Sequence, residues 1–181
     1  AGFDIPQPFT PFDGKLLHLK LGLTRACNLS CVYCVTGAGN QYDDELSFSE
    51  YVDLLKQAKE LGAIAVIIVG EGEPLCCSML CDIIEKIVFF EMKPILFTNG
   101  YALDTNISTF LRDANVSVIL KLNSLDPKIH DNLVNSKNAH YHSLQALDHL
   151  LSQGFADCEP THLGLQSVIV KSNIHSIEDL W

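Results

Sequence analysis

"AIAVIIVG", residues 63–70, contains no polar side chain and ends in glycine. An amphipathic helix would break such a run every third or fourth residue, and a half-exposed antiparallel strand would alternate. An uninterrupted apolar segment of this length fits a strand buried on both faces of a parallel sheet. The stretch before it, "SFSEYVDLLKQAKELG", residues 47–62, reads as a helix. Ser47 and Glu50 stand at capping-box spacing, Phe48, Tyr51, Val52, Leu55 and Ala58 share one face, and Gly62 stops it.

Working outward, four more strand-like runs appear: "KLLHLKLGLT" at 15–24, "KPILFTNG" at 93–100, "VSVILKLNS" at 116–124 and "LGLQSVIVK" at 163–171. Helical spacing recurs over 76–91, 104–114 and 143–153, with Gly154 as terminator of the last. Regular alternation of strand and helix implies a parallel α/β sheet joined by right-handed crossovers. It leaves a doubly wound sheet and a barrel both open. Residues 1–14 form a Pro-containing N-terminal extension and residues 15–181 one core. The closing "NIHSIEDLW", 173–181, reads as the opening of a fifth helix.

Composition narrows the function classes. The 181 residues are 48% hydrophobic and 19% charged, enough for one domain with a substantial core. Twelve basic residues against 22 acidic give a net charge of -10, which argues against nucleic acid and anionic membranes as partners. No apolar run approaches the roughly 18 residues of a membrane span, and the first residues lack the charged and apolar regions of a signal peptide. Seven cysteines, an odd count, argue for metal ligands or buried thiols in a reducing compartment. A cytoplasmic location is the resulting expectation.

Three of those cysteines fall in "TRACNLSCVYCVTGAG", residues 24–39, between the first strand and the first helix. Cys27, Cys31 and Cys34 make a C-x3-C-x2-C array where α/β proteins place their sites. Three thiolates within eight residues can wrap one compact inorganic core. Structural zinc and simple electron-carrying clusters take four protein ligands, so three leave one metal position open. The competing readings are coincidence and a zinc knot completed by a distant histidine such as His18. Arg25 is either a solvated loop charge or a hydrogen-bond donor near the metal site. Cys77 and Cys81 fall at core spacing with Leu80, Ile84, Ile87 and Val88, which favours buried thiols over a second cluster. His140, His142 and His149 read as surface or helix-end residues.

The cysteine loop resembles the signature of radical S-adenosylmethionine enzymes, C-x3-C-x-aromatic-C, with Tyr33 at the aromatic position. The resemblance implies a [4Fe-4S] cluster held by Cys27, Cys31 and Cys34, and S-adenosyl-L-methionine as the second cofactor. "VGEGEPL", 69–75, is similar to the family's G-x-G-E-P element and so assigns Gly70, Glu71, Gly72 and Glu73 to that cofactor. "TNG" at 98–100 and "NSLD" at 123–126 resemble later strand ends of the family, adding Thr98, Asn123 and Ser124. Strand parity puts Lys121 and Asn123 on one face, with His18, Lys20 and Gln166 facing the same interior. The fold implied is a partial (β/α) barrel of parallel strands of the radical SAM core type. Five strands are legible where the family has six βα units, so the last unit has no counterpart.

The activity implied is reductive cleavage of S-adenosylmethionine to a 5'-deoxyadenosyl radical that abstracts hydrogen from a peptide or small metabolite. A one-electron donor of flavodoxin or ferredoxin type would be required. The alternatives are a non-catalytic iron-sulfur or partner-binding module derived from such an enzyme, and a zinc-stabilised α/β binding protein.

Overall fold

The computed structural model describes residues 14–158 and 160–180. The N-terminal extension assigned to 1–14 therefore lies outside the described residues except for Gly14, as does Trp181. Five strands alternate with helices: β1 His18–Leu21, α1 Phe48–Glu60, β2 Ala65–Ile68, α2 Leu80–Phe89, β3 Lys93–Thr98, α3 Thr105–Asp113, β4 Ser117–Lys121, α4 Pro127–Val134, α5 Ala139–Ser152 and β5 Leu163–Gln166. Short 3-10 turns lie at Pro74–Cys76 and Ile177–Leu180.

All four strand pairs are parallel and their order is β1-β2-β3-β4-β5. Sequential order means every right-handed crossover steps the same way, so all helices fall on one side of the sheet. A doubly wound sheet would reverse its order at a switch point. The sheet is thus an arc of a barrel, as the resemblance implied.

The register explains the two faces. Leu21, Val66, Ile68, Leu96, Val118 and Leu120 point to the helices and are buried with Leu55, Ile83, Ile84, Ile87 and Leu111. Lys20 pairs with Ile67 and Ile67 with Ile95, on the concave side. Lys121 pairs with Gln166 there too. The 63–70 run is therefore not buried on both faces. Val66 and Ile68 are buried, whereas Ala65, Ile67 and Val69 are half-exposed on the concave side of the arc.

Local sequence sets most helix boundaries. The Glu50 carboxylate accepts hydrogen bonds from the Ser47 N–H at 2.8 Å and hydroxyl at 2.7 Å, fixing the start of α1. These contacts, chiefly the Ser47 hydroxyl, hold the Glu50 carboxyl below its ordinary range. The helix expected over 76–91 starts only at Leu80, because Pro74 opens a 3-10 turn and Cys77 remains extended. Cys77 packs half-buried against the core, Cys81 is half-buried and Val88 is exposed. The helix expected at 143–153 begins earlier, at Ala139. Residues 173–180 form turns and a 3-10 turn, not a fifth α-helix.

One helix goes beyond the sequence reading. α4 starts at Pro127, with the Asp126 carboxylate accepting from the Lys128 and Ile129 N–H groups at 2.7 and 3.3 Å. Its signal was an aspartate followed by proline at the first helical position. No helix among the described residues is long and apolar enough to cross a membrane.

Candidate functional site

The cysteine loop leaves the C-terminal end of β1 and is tied down along its length. An isolated bridge joins Ala26 to Gly39, with Cys27 N–H donating to the Gly39 carbonyl at 2.9 Å and Gly39 N–H to Arg25 at 3.0 Å. Arg25 closes the same ends from outside. Its guanidinium donates to the Thr36 and Gly37 carbonyls at 3.1 and 2.8 Å and stacks 4.6 Å from the Tyr42 ring centre. It is a clamp on the loop backbone and so more than a solvated loop charge. Glu45 accepts from the Thr24 hydroxyl and from the Arg25 and Tyr42 N–H groups, anchoring the loop's entry.

The middle of the loop rests on α4. Helix C-terminal carbonyls lack partners within the helix. Here Val32 N–H donates to the Leu133 carbonyl at 3.0 Å and Ser30 N–H to Val134 at 3.3 Å. Leu29, Val134 and Ala139 bury a small apolar cluster beneath Cys27 and Cys31. The helix missing from the sequence reading is thus the floor under the cysteines.

The turn after β2 packs on the loop backbone. A Cβ on Gly72 would meet the Ala26 carbonyl oxygen at 2.3 Å, and one on Gly70 would meet the Gly22 Cα at 2.7 Å. Glycine is required at both positions because backbone lies on backbone. Glu73 donates its N–H to the Ala26 carbonyl at 2.9 Å and buries its carboxylate. That carboxylate accepts from the Thr98 hydroxyl at 2.5 Å, the Asn99 N–H at 2.8 Å and the Leu75 N–H at 3.2 Å. Burial pushes the Glu73 carboxyl up, against these donors, which pull it down. Glu73 therefore ties together the ends of β2, β3 and the cysteine loop.

These elements enclose a cavity of about 300 Å³ at the C-terminal ends of the strands. Its lining brings together Cys27, Cys31, Cys34, Tyr33, Gly70, Glu71, Gly72, Glu73, Thr98 and Gln166. Asn123 and Ser124 do not line it; both are fully buried behind its wall. The Ser124 hydroxyl accepts from the Asp126 N–H, shaping the turn into α4, and the Asn123 amide donates to the Tyr33 hydroxyl at 2.7 Å. Lys121 is the one lysine, arginine or histidine among the lining residues, and its ammonium stands 5.1 Å from the Tyr33 ring centre.

The thiols differ in their surroundings. Burial pushes Cys27 up to about 11 and raises Cys31 as well, the latter offset in part by the Tyr33 hydroxyl and Lys121. Cys34 is exposed, and its contact with the Thr36 hydroxyl at 3.2 Å draws it down. Thr36 in turn donates to the Glu71 carbonyl at 2.7 Å, linking the loop to the β2 turn. Thr36, Asn99 and Lys121 line the site without having been assigned to it. Asn99 carried a signal as the middle of the "TNG" motif and Lys121 through its strand parity with Asn123, whereas Thr36 carried none.

The donor set suits a cluster better than a single ion. Among the described residues no three Cys, His, Asp or Glu side chains converge as ligands of one metal ion. His18, the residue considered for a zinc knot, sits at the start of β1, paired with Ala65 at the opposite end of the sheet. A four-iron cluster spreads three thiolates over three irons and needs no such convergence. Three free thiols and one lysine lining the same cavity would suit an anionic cluster.

Comparison with known proteins agrees with this geometry. The family model of the Radical SAM superfamily matches residues 21–179. The mycofactocin maturase MftC of Mycolicibacterium smegmatis is 24% identical over 179 residues, covering 97% of this chain and 44% of the relative. The GTP 3',8-cyclase of Psychromonas ingrahamii is 29% identical over 175 residues, covering 93% and 51%. Streptococcus suis SuiB, in its crystal structure bound to S-adenosylmethionine, superposes with a TM-score of 0.79 at 20% identity, over 92% of this chain and 37% of that one. The chain spans about half, or less, of the length of these relatives. With a strand-end cysteine tripod, a barrel-arc fold and a family match across nearly its whole length, the chain belongs to the Radical SAM superfamily, whose members use a [4Fe-4S] cluster and S-adenosylmethionine.

Proposed function

We propose that this chain is the catalytic core of a radical S-adenosylmethionine enzyme, with Cys27, Cys31 and Cys34 holding the cluster. The observation that carries the reading is the placement of three sulfurs, the Gly70–Glu73 turn and the sole lining cation around one cavity. When bound, the cluster supplies one electron to S-adenosylmethionine, whose carbon-sulfur bond breaks to give methionine and a 5'-deoxyadenosyl radical that takes a hydrogen atom from the substrate.

The chain's own residues bind and orient. Glu71 and Gly72 present backbone polar groups at the cavity wall beside the cysteines, and Glu73 fixes that turn from behind. Lys121 offers an ammonium to the anionic end of the amino-acid moiety. Thr98 and Gln166 supply polar contacts for the nucleoside, and Asn123 and Ser124 hold the β4 end in shape. The half-exposed apolar concave face, with Ile67, Val69 and Phe97, excludes water around the reacting carbon.

The substrate is a peptide or a small metabolite. SuiB, the fold neighbour, has been crystallised bound to its precursor peptide SuiA, which supports the first; relatives named GTP 3',8-cyclase support the second. A one-electron donor of flavodoxin or ferredoxin type is the required partner. Anaerobic reconstitution with iron and sulfide, then incubation with S-adenosylmethionine and a low-potential reductant, tests the reading. Release of 5'-deoxyadenosine supports it. A cluster without that product would mark a non-catalytic module, and equimolar zinc without iron would mark a zinc protein.

A further inference from the structure

The stretch after β5 is held down by polar contacts. Its Ile169 and Ile174 are 61% and 51% exposed, whereas Asn173 is fully buried. A surface segment is ordinarily fastened by apolar side chains, so a buried asparagine is the informative residue. The Val170 N–H can only donate, and it lies 2.8 Å from Asn173 Oδ1, which fixes the orientation of the amide. Nδ2 then donates to two carbonyls, that of Asn123 at 2.8 Å and that of Val168 at 2.9 Å. Asn123 is fully buried as well. Its Oδ1 accepts from the Val168 N–H at 3.0 Å, its Nδ2 donates to the Tyr33 hydroxyl at 2.7 Å, and its backbone N–H donates to His130 Nδ1 at 3.3 Å. The two asparagines thus join the cysteine loop, α4 and the 167–173 stretch. The Ser167 hydroxyl adds a bond to the Leu122 carbonyl at the start of that stretch.

We propose that Asn123 and Asn173 form a latch that spaces two parts of the cavity wall, and that Asn173 is thereby a positioning residue for S-adenosylmethionine. The inference rests on the reading of the cavity as the S-adenosylmethionine site. Tyr33, Gln166 and Val168 line that cavity, and the two asparagines do not. Without the Asn173 amide, the Asn123 and Val168 carbonyls lose the donor they share, and buried polar groups left unpaired favour a looser arrangement that admits water. The Gln166–Val168 wall then moves relative to Tyr33. The cysteine loop itself keeps its other ties, to Arg25, to Gly39 and to the end of α4. Binding of the nucleoside therefore weakens while the three sulfurs stay in place.

The test is calorimetric titration of the reconstituted protein with S-adenosylmethionine, beside KM and kcat for 5'-deoxyadenosine release, with iron and sulfide measured on every sample. Asn173→Ala removes the latch. It is expected to keep the wild-type iron and sulfide, to bind S-adenosylmethionine about tenfold more weakly and to raise KM by a similar factor, with kcat little changed. Ser167→Ala, a smaller loss in the same stretch, is expected to shift binding in the same direction by less. Ile84→Val, which truncates a buried side chain of α2 away from this junction, is expected to lower stability and leave binding unmoved. An Asn173→Ala protein with wild-type affinity would overturn the latch, as would an Ile84→Val protein that loses as much affinity as Asn173→Ala. Should Asn173→Ala not fold, Ser167→Ala decides, and an unmoved affinity there overturns the proposal. Wild type that carries a cluster yet binds no S-adenosylmethionine would overturn both the latch and the reading on which it rests.

Discussion

Gly72 packs its Cα against the Ala26 carbonyl so closely that a Cβ would lie 2.3 Å from that oxygen, 2.7 Å from the Arg25 carbonyl carbon and 2.7 Å from the Thr24 carbonyl oxygen. All three obstacles are backbone, so none can swing aside. Gly72→Ala must push the cysteine loop off the β2 turn. The expected cost is about 1–3 kcal/mol, read as a lower urea midpoint, together with weaker retention of iron on gel filtration.

Glu73 tests the same junction from its polar side. Its two oxygens face three donors, so Glu73→Gln must turn an NH2 group toward one of them. A buried donor left without an acceptor costs about 1–3 kcal/mol. Thermal unfolding of the variant against wild type at neutral pH checks this, and Glu73→Asp, too short to reach Thr98 and Asn99 together, is expected to fare no better.

Lys121 is expected to matter for ligand binding more than for folding. It has no salt-bridge partner among the described residues, and it faces the cavity. Lys121→Met should leave the unfolding midpoint nearly unchanged and weaken S-adenosylmethionine binding about tenfold, or roughly 1.4 kcal/mol. Isothermal calorimetry with the reconstituted protein measures it.

His130 sets an acid limit on stability. Burial, with the neighbouring His140 adding to it and Asp131 opposing it, lowers its pKa from the ordinary 6.5 to about 4. Between these values the unfolded chain binds a proton that the folded chain refuses. Stability is therefore full above about pH 6.5 and falls as pH drops toward 4, by at most about 3 kcal/mol. His130→Gln should flatten that slope in urea titrations at pH 7.5, 6 and 5.

The sequence revealed these features unequally, and for physical reasons. The cysteine loop and the Gly70–Glu73 turn were legible because few residue types can do what those positions require. The strands were legible through apolar runs, yet apolarity alone gave no sign that Ala65, Ile67 and Val69 face an open concave side. That depends on how many strands close the arc, a property of the whole sheet. α4 was missed because its eight residues follow directly on a strand-end motif and are too few for an apolar face to repeat. The roles of Asn123 and Asn173 were hidden because each bonds groups about 45 to 90 residues away. Glycines 70 and 72 line the cavity, and the close contacts that require glycine there are with Gly22 and with Thr24–Ala26, which no local pattern shows.

Iron and acid-labile sulfide, counted per chain after anaerobic reconstitution, test the central claim most directly when wild type is set beside single alanine variants of Cys27, Cys31 and Cys34. About four irons and four sulfides per wild-type chain are expected, with each alanine variant losing most of both and Cys158→Ala losing neither. Variants that keep the wild-type iron and sulfide content would contradict the assignment of these three sulfurs as the cluster's ligands.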